Sequence, residues 1–115
     1  MSTILDPGKF AVLAYKTMVT WPYPNPPAAF YGANPALGNG GDQVFLKNSL
    51  LTIDSMPKWG DVVGNQGHSF KLDPTKLNSV DNDNITNWCY SSVLFFMDKE
   101  WGSPGAANEA ACAVL

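Results

Sequence analysis

The chain has 115 residues, 45% of them hydrophobic, and carries a net charge of −3. That length makes one domain with a modest core, so residues 1–115 are read as a single domain. The basic residues are all lysines (Lys9, Lys16, Lys47, Lys58, Lys71, Lys76 and Lys99), scattered and without a single arginine. They supply neither the basic stripe nor the bidentate contacts of nucleic-acid recognition. No apolar run is long enough to span a membrane.

Nine prolines and ten glycines argue for short strands joined by turns rather than long helices. Residues 1–9 lack a basic start followed by an apolar core, so no signal peptide is read there. Residues 10–15, bounded by Pro7-Gly8 and Lys16-Thr17, form an apolar run of strand length and read as a buried strand. Residues 18–37 carry Pro22, Pro24, Pro26, Pro27 and Pro35 among Trp21, Tyr23, Phe30 and Tyr31. Proline cannot donate to a ladder, so this stretch reads as an extended loop or edge, with a short helical turn over 28–31. Residues 38–41 form a tight turn. Residues 43–47 and 50–55 form a hairpin with Asn48-Ser49 at its tip. A second loop covers 58–67, and short strands follow at 69–72 and 88–91. Residues 93–97 are apolar and of ambiguous type. Residues 109–115 are alanine-rich and read as a short helix or a tail. No internal repeat or domain linker is visible.

Several residue types invite chemistry. His68 is the only histidine, and a hydrolytic triad needs one beside a nucleophile and an orienting acid. Its neighbour Ser69 would point to the opposite face of a strand, so His68 reads as a surface or turn residue. Cys89 and Cys112 are the only cysteines, and one intramolecular disulfide is the simplest use for them. The alternative is two free, buried thiols in a cytosolic protein. Two cysteines and one histidine lack the close ligand pairs of a zinc site. Asp81 and Asp83, with Asn82 and Asn84, offer the hard oxygens that calcium takes. An EF-hand loop starting at Asp81 would need glycine at Thr86 and glutamate at Ser92, so that motif fails. The cluster reads instead as Asx turns, with a different calcium geometry as the competing reading. Asn84-Ile85-Thr86 is a formal glycosylation triplet and is discounted. The best binding candidates are Trp21, Tyr23, Phe30 and Tyr31, whose flat faces and polar handles suit sugars or protein partners. The competing reading folds these aromatics down over an open end of the domain.

The order of several steps along the chain carries a resemblance. Asp6-Pro7-Gly8-Lys9-Phe10-Ala11-Val12-Leu13 looks like a turn, Pro-Gly, aromatic, strand step. Leu37-Gly38-Asn39-Gly40-Gly41-Asp42-Gln43-Val44-Phe45-Leu46 and Leu51-Thr52-Ile53-Asp54-Ser55 follow as turn-and-strand steps. Leu72-Asp73-Pro74, Asn87-Trp88-Cys89 and Gly102-Ser103-Pro104-Gly105-Ala106-Ala107-Asn108 close the pattern, with Cys112 beyond. Together, over about Leu5 to Cys112, they resemble the lamin-tail-like domain of intermediate-filament tails and of many bacterial secreted and surface proteins. The resemblance implies an all-β, immunoglobulin-like sandwich. It favours the Cys89–Cys112 disulfide, and with it an extracellular or cell-surface location, cytoplasmic if the thiols are free.

The family's opening strands have no counterpart in residues 1–5, so the chain is expected to begin part-way through the domain. An incomplete sandwich leaves an apolar face and a bare edge exposed. Self-association is therefore expected, in its specific form a dimer through edge strands or swapped segments, unless residues 18–37 replace the lost strands. The function implied is a non-catalytic accessory module for protein contact or attachment, with no cofactor. The alternative is a small carbohydrate-binding sandwich using Trp21, Tyr23 and Tyr31 on one surface. Last comes a hydrolase, which would need His68 within reach of a carboxylate and a hydroxyl.

Overall fold

The computed structural model describes residues 4–15, 23, 26–32 and 37–113. Among these the regular structure is short strands, joined by two single-turn 3₁₀ helices at Asp81–Asp83 and Ile85–Asn87. The all-β expectation holds at that level. The sheets are two-stranded and do not close on one another. The chain divides into two compact units, Met1–Ala36 with Ser103–Ala107, and Leu37–Gly102 with Asn108–Leu115.

In the first unit, β1 (Leu13–Tyr15) pairs in parallel with β2 (Ala29–Tyr31), Ala14 standing opposite Phe30 and Tyr15 opposite Tyr31. The stretch between them has the dozen or so residues that a parallel crossover needs. The Ala28 amide donates to the Val12 carbonyl at 2.8 Å, extending the ladder by one step. The strand expected to be buried over 10–15 is shorter and covered on one face only: Leu13 and Tyr15 face outward while Ala14 is buried. The helical turn expected over 28–31 is not there. Pro26-Pro27 holds the entry extended, and Phe30 and Tyr31 are strand formers that β1 can pair.

In the second unit, β3 (Phe45–Lys47) and β4 (Thr52–Ser55) form the expected antiparallel hairpin, with a register shift between Leu46 and Lys47. Asn48 builds its tip. The Asn48 side-chain oxygen accepts the Leu50 and Leu51 amides at 2.8 and 2.9 Å, a side chain standing in for a backbone turn. The ladder continues irregularly beyond the strands, through Met56 to Val44, Trp59 to Asp42 and Val62 to Asn39.

β5 (Phe70–Leu72) and β6 (Trp88–Tyr90) pair antiparallel, as do β7 (Leu94–Phe96) and β8 (Glu100–Trp101). Residues 67–69 join the two ladders. The Ser69 amide donates to the Trp101 carbonyl, the Trp101 amide to the Gly67 carbonyl, and the Ser91 amide to the Ser69 carbonyl. The apolar run whose type was open is thus a strand, β7. Its turn to β8 holds Met97 and Asp98 at φ of 52° and 45°, the left-handed pair of a tight hairpin turn. Residues 109–113 form no helix and run as an extended tail.

Packing concentrates around β5, β6 and β8. Phe70 stacks on Trp88 at 5.6 Å and tilts against Tyr90 at 5.1 Å. The His68 ring lies flat on Trp101, with centroids 4.1 Å apart. Gly67 sits at φ of 85° against the Lys99 carbonyl, where a side chain has no room.

Candidate functional site

Three places bear on function, and each follows from the local fold. The first is the C-terminal strap, residues 108–112, laid back over β5 and β6. The Asn108 amide group donates to the Leu72 carbonyl at 2.8 Å, and the Lys71 ammonium donates to the Ala110 carbonyl at 2.7 Å. The Cys112 amide donates to Asp73 Oδ2 at 2.8 Å, and Cys112 is bonded to Cys89 on β6. The expected disulfide is present. It has company that sequence reasoning missed: in the sequence Lys71 is only one of the scattered lysines, and Asp73 only part of the Leu72-Asp73-Pro74 step.

Both charges are buried and answered. Asp73 also accepts the Thr75 hydroxyl at 2.7 Å and the Thr75 amide at 2.8 Å. Those two bonds, then the Cys112 amide and the nearby Lys71 charge, hold its carboxyl below the usual aspartate range against the opposing effect of burial. A cleft of about 940 Å³ runs beside the strap, walled by Lys71, Asp73, Trp88, Tyr90 and the disulfide. The two buried charges that line it are already spent on the strap itself.

The second place is the neighbourhood of His68. Its Nδ1 lies 2.6 Å from the Ser91 carbonyl oxygen, so that nitrogen carries the proton. The Ser91 hydroxyl, 1% exposed, donates to the Glu109 carboxylate. A nucleophilic site needs the imidazole on the hydroxyl and the acid on the imidazole. Here the imidazole is on a backbone carbonyl and the acid is on the hydroxyl. Ser69, the sequence neighbour, spends its amide and carbonyl on the ladder.

The third place is exposed apolar surface. Of the four aromatic candidates, Trp21 lies outside the described residues. Tyr23 is half-buried, Phe30 is exposed on β2, and Tyr31 is half-buried beside it. Tyr31 meets Tyr15 edge-on at 5.6 Å, a partner the sequence did not point to because it lies on the other strand of a parallel pair. In the second unit the β3–β4 hairpin exposes more. Leu46 is 60% exposed, Leu50 87% and Leu51 58%, and every residue of β3 is exposed. One signal in the sequence marked it: Leu50-Leu51 puts two apolar residues at a hairpin tip, where polar ones belong.

Asp81 and Asp83 bracket a 3₁₀ turn built by Asx bonds. The Asn78 side-chain oxygen accepts the Val80 and Asp81 amides, and the Asn78 amide group donates to Asp81 Oδ2 at 2.7 Å. Asn84 likewise accepts the Thr86 amide and hydroxyl. Among the described residues no three His, Cys, Asp or Glu side chains stand close enough together to hold a metal ion. No helix among the described residues is long and apolar enough to cross a membrane. No known protein family, curated protein or solved structure matches the chain.

Proposed function

We propose that the chain is a non-catalytic interaction module of a secreted or surface protein, of the lamin-tail type, whose work is protein contact or attachment. The observation that carries this reading is the exposure of strand-borne apolar side chains in each of the two units. Leu13, Phe30, Phe45, Leu46, Ile53 and Leu94 all lie on strands and are all exposed, while Ala14 is the buried hydrophobic residue among those described. Phe45, Leu46 and Ile53 are neighbours on the one β3–β4 hairpin, and an exposed apolar patch of that kind marks an interaction site. The disulfide supports an oxidising compartment. The bonding of His68, Ser91 and Glu109 runs against the order that nucleophilic catalysis requires.

The test uses the oxidised chain with an apolar reporter dye, a panel of ester, glycoside and phosphodiester substrates, and a panel of oligosaccharides. The expected result is dye uptake by a chain that still unfolds cooperatively, without turnover or saturable sugar binding. Turnover abolished by His68→Ala would replace the reading with a hydrolase. Sugar binding weakened by Tyr31→Ala would replace it with the carbohydrate-binding one.

A further inference from the structure

The hairpin exposes apolar side chains on both of its faces and carries a bare edge. β3 pairs with β4 on one side and with nothing on the other among the described residues. Along β3, successive side chains alternate between faces, so Leu46 stands on one and Phe45 and Lys47 on the other. The Lys47 ammonium lies over the Phe45 ring at 5.1 Å, which places those two on the same face. β4 is likewise unpaired on its outer side among the described residues, and its Asp54 carboxylate accepts the Asn82 amide group at 2.8 Å.

The backbone directions follow from the pairing. The Met56 amide donates to the Val44 carbonyl, so residues 44 and 46 turn their amides and carbonyls toward β4. Residues 45 and 47 turn theirs away, onto the bare edge. Resting on the interaction-module reading above, we infer that this edge is the docking surface for a second copy of the chain, paired antiparallel, β3 on β3, about a two-fold axis at Leu46.

Three features select that occupant. The first is register. With the axis at Leu46, Phe45 of each copy faces Lys47 of the other, and both have their amides and carbonyls free on that edge. Each Lys47 then gains a second aromatic face, and Leu46 packs against Leu46. An axis at Lys47 would set two ammoniums face to face. An axis at Phe45 would need the Gln43 amide, which is already donated to Asp42 Oδ1 at 2.8 Å. The second feature is the two-faced ribbon. A flat partner covers one face, whereas pairing in the plane of the sheet brings neighbours to both faces and removes the edge. The third is area. The exposed surface of Val44, Phe45, Leu46, Leu50, Leu51 and Ile53 amounts to roughly 600 Å² per copy, an upper bound on the apolar area the pairing covers and below the ~800 Å² a side of a standard interface, which fits a weak, micromolar dimer.

The experiment is light scattering on the oxidised chain across about 5 to 500 µM, a span that brackets a micromolar dissociation constant. The wild type is expected to pass from monomer to dimer. Leu46→Lys sets two charges across the axis at a site that is 60% exposed in the single chain, and is expected to weaken the dimer at least about tenfold. Lys47→Pro removes one outward amide without touching the bonds to β4, and should weaken it similarly. Val63→Lys, at an apolar site 73% exposed outside the hairpin, should leave it unchanged. A wild type that stays monomeric throughout overturns the inference. So does a dimer that Leu46→Lys leaves intact, or one that Val63→Lys weakens as much. A monomer that still takes up the dye leaves the interaction-module reading standing and removes only the self-pairing.

Discussion

Removing the disulfide separates two ways of holding the strap. Cys89 and Cys112 are 23 positions apart, and opening a loop of that size frees about 3.4 kcal/mol of chain entropy in the unfolded state. The folded strap keeps its other anchors: Asn108 on Leu72, Lys71 on Ala110, Cys112 on Asp73 and Ser91 on Glu109. At about 1 kcal/mol each, these suffice to keep it docked once the bond is gone. The loss should therefore fall on global unfolding and not on local fraying. Paired Cys89→Ala and Cys112→Ala substitutions should lower stability by about 3.4 kcal/mol, or roughly 14 °C in Tm for a chain of this size. Guanidinium unfolding of the variant beside the oxidised wild type measures the first, and calorimetry the second. A loss below about 1 kcal/mol would refute the reasoning, because it would mean that the strap detaches early and the bond constrains little.

Other outcomes follow from single contacts. The Asp73 carboxyl is held below its ordinary value, so it stabilises the fold above that value, and the contribution is lost as pH falls through about 3.9 and below. Asp42 is shifted the same way by the Gln43 and Gly38 amides. Thermal melts of Asp73→Asn should show a smaller acid-induced fall than the wild type, with the part due to Asp42 remaining; equal falls would count against the Asp73 clasp. Gly67→Ala should cost about 2–4 kcal/mol in chemical unfolding, because the new Cβ meets the Lys99 carbonyl and the backbone there is left-handed. Met97→Asn with Asp98→Gly should raise stability by about 0.5–1 kcal/mol, since both positions hold positive φ in a tight hairpin turn.

What was legible in the sequence was local. Asn48 announces a turn by its own side chain, and the hairpin around it appears within a residue or two of where pattern and turn chemistry put it. Asn84, within the expected Asx cluster, does the same for the second 3₁₀ turn, whereas the first is held by Asn78, which the sequence reading did not single out. The misread segment, 28–31, failed for want of a partner. Nothing in Ala28-Ala29-Phe30-Tyr31 distinguishes a helical turn from a strand until β1 is placed beside it. The same limit applies to the run that became β7, which β8 fixes from beyond a turn held by Asp98 and by Met97, a residue seldom found at positive φ.

The strap shows why site residues were harder to read than elements. Cysteines announce a bond because there are two of them and little else for them to do. Lys71 and Asp73 announce nothing, because a charge at a strand end is ordinarily solvated. They become structural only when a segment nearly forty residues away returns to supply the Ala110 carbonyl and the Cys112 amide. The hairpin is the reverse case. Its turn and pairing signals are complete, and what it lacks is a cover: the consecutive Phe45 and Leu46 on β3 point to opposite faces, and with Ile53 on β4 the described residues leave all three exposed. A sequence that keeps strand propensity and turn chemistry intact while leaving apolar residues open on both faces of a hairpin is consistent at every level but the last. That missing level is tertiary cover, and the proposed pairing with a second β3 at the Leu46 register would supply it without opposing like charges or requiring an amide already in use.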